Sequence, residues 1–385
     1  MHLLIRYMTA FFLIALVVAC NTATTQDLPS DKNATKETVA LYNHLKSLLN
    51  KGVIFGHQDD LAYGVHWQYE PGRSDVKEVT GEYPALFGWE LGHLELDSAK
   101  SLDKVPFDKM KEFIKQGYKN GAAITISWHL NNPLNGLSAW DTTHGSVAAI
   151  LPGAAKHELY KRYLDRLATF LGDLKGPKGE AIPVLFRPFH ELTGNWFWWC
   201  SNTCTPQEYI SLWKFTAGYL RNTKQLHNLL YVYNTAEFTT QENFLERYPG
   251  DEYVDVISFD SYQHPNAITA QGNDFIKQVD KRLGILNEIA ASKKKIPAFA
   301  ETGFEAIPQA NWWTTSMLPL LKKHKVSYVL VWRNAGLMKE TGKMHYYAPY
   351  AGQVSSADFI KMYKDETMIF GKKIMEEHIY EPIKK

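Results

Sequence analysis

A short segment near the middle of the chain combines residue types that could carry out chemistry. Residues 185–199 contain an arginine, a histidine, a glutamate and three tryptophans: Arg187, His190, Glu191, Trp196, Trp198 and Trp199. A second glutamate, Glu301, follows the apolar run 296–300. Two carboxyl groups in different surroundings can serve as proton donor and nucleophile, and indole faces beside them stack on the apolar C–H faces of sugars. These residues therefore indicate a carbohydrate-active site.

Eight short apolar runs, most of them separated by a stretch of helical character, could position these residues. Buried parallel strands are apolar along nearly their whole length, and eight that alternate with helices predict a closed barrel. The predicted fold class is therefore α/β, a (β/α)8 TIM barrel. The predicted strands are 53–56, 85–88, 122–127, 182–186, 229–233, 254–259, 296–300 and 327–331.

Apolar residues at helical spacing mark the segments between the strands. The segment 36–49 is expected to cover one end of the barrel, and 356–369 to complete the outer ring of helices. The other predicted helices are 107–119, 157–174, 206–220, 275–291 and 314–324.

Polar and aromatic residues follow nearly every predicted strand, and such residues form the active-site face of a barrel. Glu191 and Glu301 end strands four and seven, which lie on facing sides of an eight-stranded barrel. A substrate would therefore lie between them. If their carboxyl groups are about 5–5.5 Å apart, hydrolysis retains anomeric configuration through a covalent intermediate.

Three neighbouring polar residues each allow two interpretations. Arg187 could orient Glu301 through its charge or satisfy buried carbonyl groups. His129 could brace a loop or bind sugar. Asp260 could be a substrate ligand, or it could hold Arg187 or His190 in place.

Two motifs identify a related family. The sequence RPFHE at 187–191 and the sequence GNWFWW at 194–199, with glutamates ending strands four and seven, resemble glycoside hydrolase family 26 of clan A. The resemblance covers roughly residues 38–375. It implies hydrolysis of β-1,4-mannan by double displacement with retention, with mannan, galactomannan or glucomannan as substrate.

The resemblance also implies roles for individual residues. Glu191 would be the acid/base and Glu301 the nucleophile, with Tyr262 donating a hydrogen bond to Glu301. Trp332 would form the floor of subsite −1, Arg333 would reach toward −2, Trp196 would line +1, and Trp128 would lie beside the cleaved sugar. The expected substrate-binding set is His93, Trp128, His190, Trp196, Tyr262, Trp332 and Arg333.

Other functions remain open at this stage. An exo-acting enzyme that releases mannobiose from chain ends would use the same residues, as would a hydrolase of another β-glycan. A non-catalytic glycan-binding lipoprotein could use the same aromatic groove. The pair Glu191 and Glu301 favours an enzyme, because a protein that only binds has no need of both carboxyl groups.

The amino terminus resembles the signal of a bacterial lipoprotein. The apolar run 10–19 is too short to span a bilayer, and it ends in VVAC at 17–20, which resembles a lipobox. We therefore expect residues 1–20 to be a signal peptide with Cys20 lipidated, 21–35 to be a flexible tether, and 36–385 to be a single catalytic domain. The expected location is the bacterial outer membrane, on its periplasmic or cell-surface face.

Charge and cysteine content restrict the partners further. Lys and Arg number 42 and Asp and Glu 41, so the net charge of +1 provides no basic surface for nucleic acid. We expect a monomer with no cofactor and no metal, since adjacent Asp59 and Asp60 would point to opposite sides of a strand. The two cysteines beyond Cys20, Cys200 and Cys204, are expected to form a disulfide in an exported protein.

Overall fold

Eight parallel strands pair in chain order and close into a barrel. The computed structural model describes residues 27–264, 271–339 and 341–383. Each strand pairs with the next, and the eighth pairs with the first, which confirms the predicted (β/α)8 fold. The barrel strands are β1 (Val53–Gln58), β2 (Leu86–Glu90), β3 (Ala123–Trp128), β4 (Val184–Pro188), β5 (Leu229–Thr235), β6 (Val256–Gln263), β7 (Ile296–Phe304) and β8 (Tyr328–Val331).

The helices cover the outside of the barrel and one of its ends. Apart from 356–369, the predicted segments are helical with small shifts at their ends, because periodicity locates a helix better than it locates its last turn. The helices are α1 (Lys36–Leu48), α2 (Asp75–Thr80), α3 (Phe107–Lys119), α4 (His157–Gly172), α5 (Pro206–Gly218), α6 (Gln241–Leu245), α7 (Gln271–Lys293), α8 (Leu318–Lys323), α9 (Ser356–Tyr363) and α10 (Gly371–Glu376).

Helix α1 closes the end of the barrel at which the strands begin, as predicted. Its apolar side chains, among them Leu41, Leu45 and Leu48, pack with residues near the starts of the strands, such as Ile54 and Leu86. These side chains are almost fully buried. The polar residues and the long loops lie at the opposite end, where the strands finish.

The carboxyl-terminal segment 356–369 is not one continuous helix. Helix α9 ends at Tyr363, and Met368–Ile369 forms a short strand parallel to β1. The chain turns here because the main-chain N–H of Val53, one residue before β1 begins to pair with β8, needs an acceptor. The carbonyl of Thr367 accepts this N–H at 2.7 Å, and an unpaired buried N–H would be costly.

Part of the expected tether packs on the barrel. From Asp27 onward the segment lies against the end of the barrel covered by α1. Ser30 donates its N–H and its hydroxyl to the buried carboxylate of Asp255, at 2.6 and 3.0 Å, and Asp31 contacts His227 at 2.7 Å. The prediction of a flexible tether is therefore wrong for residues 30–35, because the polar side chains that suggested it satisfy buried groups of the barrel. The signal segment 1–20 and Cys20 lie outside the described residues.

The expected disulfide is absent. Cys200 and Cys204 are free, buried thiols. The Cys200 thiol donates to the carbonyl of Glu191 at 3.4 Å, and Arg247 lies 3.6 Å from the sulfur of Cys204. Each thiol thus has a partner of its own, and the pair braces the loop after β4 through weak hydrogen bonds. Among the residues described, no helix is both long enough and apolar enough to cross a membrane.

Candidate active site

Three carboxylates meet where β4, β6 and β7 end. Single oxygen atoms of Glu191, Asp260 and Glu301 all lie within 4.8 Å of one another. The spacing of the two glutamates matches that of retaining glycosidases, about 5–5.5 Å, rather than the wider gap of inverting enzymes. The predicted juxtaposition of Glu191 and Glu301 is therefore present.

Glu301 accepts hydrogen bonds from two side chains. Tyr262 donates its hydroxyl to Oε2 at 2.7 Å, the hydrogen bond expected from the family resemblance. The guanidinium of Arg187 donates to Oε1 of Glu301 and, at 2.8 Å, to Oδ2 of Asp260. Arg187 is thus the residue that orients Glu301, and Asp260 is the residue that holds Arg187. This guanidinium supplies the positive charge that a cation between the carboxylates would otherwise provide.

Glu191 sits on a strained turn that is fixed from β5. Its φ is 54° and that of Phe189 is 50°, a left-handed conformation that costs a non-glycine residue about 1–3 kcal/mol. The side chain of Asn234 accepts the N–H of Glu191 at 2.9 Å and donates to Oδ1 of Asp260 at 2.7 Å. The amide of Asn234 therefore fixes both the backbone of Glu191 and the carboxylate of Asp260, which holds Arg187 against Glu301.

Glu191 has the surroundings of a proton donor. Burial, together with the negative charge of Glu301, raises the pKa of Glu191 to about 7. The indole N–H of Trp196 opposes this rise by donating to Oε2 of Glu191 at 2.6 Å. Two neighbouring carboxyl groups thus differ in environment, and such a difference separates an acid from a nucleophile.

Replacing Trp196 by phenylalanine is expected to move the basic limb of the pH profile upward. The active form of Glu191 is protonated, so activity falls as pH rises through its pKa. The lost hydrogen bond favours the ionised form, so its removal raises that pKa, by about 0.3–1 unit because Trp196 is 37% exposed and partly screened. The measurement is kcat/KM against pH. Asn195→Ala, a substitution at the exposed neighbour of Trp196, is the control, and a limb that stays in place in the Trp196 variant would contradict the assignment.

Aromatic residues of the predicted set differ in exposure. Trp332 follows β8 at the open end of the barrel, where it is partly buried and packs on the apolar core inside the barrel, a position suited to the floor of a cleft. Trp128 is fully buried, and its indole N–H donates to Glu95 at 3.0 Å. The prediction that Trp128 lies beside the cleaved sugar is therefore wrong, because a side chain inside the core cannot stack on a substrate.

Trp140 is an exposed aromatic residue that was not predicted from the sequence. Its indole is 47% exposed and stacks on the ring of His129, with centroids 5.1 Å apart and planes at 8°. His129 follows β3 directly, so Trp140 lies on the open face of the barrel. The only signal in the sequence was a tryptophan within a long, polar loop after a strand, and loops of this face carry function.

His190 is 1% exposed, with Nε2 located 3.0 Å from Nε2 of His129. The predicted sugar contact of His190 is therefore not supported, since the protein itself supplies a partner. His93 lies in the loop after β2, partly buried, with a left-handed φ of 77°.

Arg333 lines a cavity of about 500 Å³ beside β1 and β8. Its Nε lies 3.1 Å from Oδ1 of the buried Asp103. The hairpin strands Tyr63–Gly64 and Trp67–Gln68 contribute one wall of this cavity. The cavity is therefore lined by residues that follow β1, β2 and β8, and the position of Arg333 toward −2 stays a prediction.

Comparison with known proteins agrees with this geometry. Two solved structures are similar to this chain. A β-mannanase from Bacteroides ovatus is 44% identical, with coverage of 88% of this chain and 96% of that chain and a TM-score of 0.83. The catalytic domain of an endo-β-1,4-mannanase from a Bacillus species is 29% identical, with coverage of 92% of this chain and 97% of that chain and a TM-score of 0.84.

Two similar proteins are named mannan endo-1,4-β-mannosidase. The protein from Bifidobacterium adolescentis is 34% identical over 281 residues, which is 71% of this chain but 28% of the relative. The protein from Bacillus subtilis is 29% identical over 294 residues, 71% of this chain and 73% of the relative. The model of the family described as glycosyl hydrolase family 26 matches residues 30–317. The chain therefore belongs to glycosyl hydrolase family 26.

Proposed function

We propose that this protein is a retaining endo-β-1,4-mannanase. The observation that carries the proposal is the pair Glu191 and Glu301, with oxygen atoms within 4.8 Å and with contrasting surroundings. That spacing leaves no room for the intervening water of an inverting mechanism. The family and the named activities of its mannanase members support mannan as the substrate.

Each glutamate has one role in the proposed double displacement. In the first step Glu301 attacks the anomeric carbon while Glu191 protonates the oxygen that leaves, so a covalent glycosyl-enzyme forms. In the second step Glu191 takes a proton from water, which displaces Glu301. Arg187 and Tyr262 orient Glu301 through their hydrogen bonds, and the raised pKa of Glu191 lets it hold its proton near neutral pH.

The sugar-binding roles are proposed from the family resemblance and the positions of the side chains. Trp332 is the floor of subsite −1, Arg333 and His93 serve the region of −2, and Trp196 serves +1 beside the acid/base. We add Trp140 as an exposed stacking surface on the same face. The polymer would lie across the barrel between the cavity at Arg333 and the indoles of Trp196 and Trp140.

The function is tested with mannan and with mannohexaose. An endo-acting enzyme lowers the viscosity of a mannan solution faster than it releases reducing ends, whereas an enzyme that removes mannobiose from chain ends does the reverse. Proton NMR at early times should show the β-anomer of the product first. An α-anomer would exclude retention, and mannobiose as the sole early product would favour the exo-acting alternative.

We propose that the protein is a monomeric lipoprotein of the outer membrane, anchored through Cys20. The lipobox-like sequence at 17–20 supports this, and so does the docking of residues 30–35 at the end of the barrel covered by α1. An anchor joined there would leave the open face directed away from the bilayer.

Cys20→Ala should shift the protein from the membrane fraction to the soluble fraction, while Cys200→Ala should not. Mass spectrometry of the membrane-extracted protein should show a diacylglyceryl group on the mature amino terminus. A wild-type protein recovered soluble and cleaved at another position would contradict the anchor.

A further inference from the structure

A chain of three side chains, Glu90, His129 and His190, runs behind the acid/base. Glu90 is the last residue of β2, His129 follows β3, and His190 immediately precedes Glu191. Nδ1 of His129 lies 2.8 Å from Oε2 of Glu90, and Nε2 of His129 lies 3.0 Å from Nε2 of His190. All three side chains are buried. The polar contacts therefore form one continuous path to the residue beside Glu191.

Glu90 is built to stay ionised. It accepts the N–H groups of Gly92 at 2.5 Å and of His129 at 2.7 Å, the hydroxyl of Ser127 at 2.6 Å, and the ring of His129. Burial acts to raise the pKa of Glu90, but the charge of His129 and these hydrogen bonds outweigh it and lower the pKa to about 2. A carboxylate with this many donors holds its neighbour's proton in place.

The two histidines differ in charge. Burial acts to lower the pKa of His129, but the carboxylate of Glu90 outweighs it and raises that pKa. Burial, with the positive charges of His129 and Arg187, lowers the pKa of His190 well below its ordinary value. The ring of His129 is also stacked under the indole of Trp140, an arrangement that favours a cation. These opposite shifts favour the charged form of His129 and the neutral form of His190.

These charges determine where the protons lie. An imidazolium donates from both nitrogens, so His129 donates Nδ1–H to Glu90 and Nε2–H to His190. His190 must then accept at Nε2 and carry its own proton on Nδ1. The ring planes meet at 86°, with centroids 4.3 Å apart, so the two rings are in edge contact and are not stacked.

We propose that Glu90 and His129 are positioning residues of the reaction: they place a fixed positive charge behind the catalytic glutamates and lock His190 in its Nδ1–H tautomer. The proposal rests on the proposed function. The charged groups that face Glu191 are Glu301, Asp260, Arg187 and His129, with the indole N–H of Trp196. Those that act on His129 are Glu90, His190 and, further away, Glu301 and Asp103.

The charge of His129 has a definite effect on catalysis. Glu301 makes it harder for Glu191 to release its proton, and the imidazolium of His129 partly cancels that influence. An acid that cannot release its proton is as poor a catalyst as one that cannot keep it. The imidazolium therefore holds Glu191 in the range in which both steps of a double displacement run.

The protonation states can be measured without substrate. In the full-length protein with ¹⁵N-labelled histidine rings, the expected result at pH 7 is a His129 ring protonated on both nitrogens and a neutral His190 ring with its proton on Nδ1. His129→Gln and His190→Gln assign the signals. A neutral His129 ring, or a His190 proton on Nε2, would overturn the proposal whether or not the protein hydrolyses mannan.

The catalytic effect is measured with His129→Gln and Glu90→Gln. Both should move the basic limb of the kcat/KM profile upward by about 0.5–1 pH unit and lower kcat about ten- to hundredfold with little change in KM. Ser127→Ala is the matched control, because it removes one hydrogen bond to the same carboxylate but leaves both charges, so its limb should stay in place. A loss of activity in His129→Gln without a shift of the limb would mean a purely structural role.

Discussion

Glu301→Ala is expected to abolish turnover on every substrate, with a loss on the order of 10⁴–10⁶-fold in kcat. The physical reason is that the alanine variant has no atom to form the glycosyl-enzyme, so neither step of the double displacement can begin. A better leaving group does not help, because bond formation to carbon, rather than proton transfer, is lost. The measurement is initial rate on mannan and on a dinitrophenyl mannobioside, and both should fall alike.

The Glu301 variant should still fold, because Arg187 keeps a partner for its buried charge. In the alanine variant this buried guanidinium keeps its hydrogen bond to Asp260 at 2.8 Å, so the charge retains a partner. Glu301→Gln preserves the volume and should be equally inactive, while its circular dichroism should match that of the parent. Full activity of either variant on the aryl substrate would exclude Glu301 as the nucleophile.

Glu191→Ala is expected to fail in a different way. Hydrolysis of mannan should fall about 10³–10⁵-fold, because the leaving sugar oxygen needs a proton. A dinitrophenolate leaves without one, so glycosylation of Glu301 should survive with that substrate, and the intermediate should accumulate. Azide needs no general base, so it should then speed the second step and yield a glycosyl azide. Release of dinitrophenolate against azide concentration is the measurement.

The anomer of the azide product separates the two glutamates. With Glu191→Ala the azide displaces Glu301 from the covalent intermediate, so the product has the β configuration of the substrate. With Glu301→Ala any azide would take the place of the nucleophile and give the α-anomer. A Glu191 variant that forms no glycosyl azide would show that the assignment of this residue is wrong.

The barrel could be predicted from sequence because its signals are local. Each strand is buried on both faces, so it appears as a near-continuous apolar run such as 229–233 or 254–259, and the intervening helices carry an apolar stripe. Parallel strands also end on one face of the barrel. The placement of Glu191 and Glu301 on opposite sides of one cleft therefore follows from strand order alone.

Contacts between distant parts of the chain could not be predicted in this way. The motif RPFHE shows that Arg187 and Glu191 are close. It does not show that Arg187 bridges Glu301 and Asp260, or that Asn234 fixes both Glu191 and Asp260. These contacts depend on the register of neighbouring strands. A one-residue change in register would turn these side chains to the other face.

Exposure was decided by the tertiary structure as well. Trp128 and Trp140 are equally suited to bind sugar by residue type, yet one is fully buried and the other 47% exposed. The two cysteines are close in sequence, but their thiols contact main-chain carbonyls instead of each other.

The amino-acid sequence by itself determined the class of fold and the two catalytic candidates, since both depend on local periodicity and on residue type at strand ends. Only the tertiary structure decided which polar groups share a partner. The ionised Glu90, the charged His129 and the neutral His190 acquire those states from one another across three strand ends. A pKa depends on burial and on charges a few ångströms away, and neither is a property of a residue's neighbours in sequence.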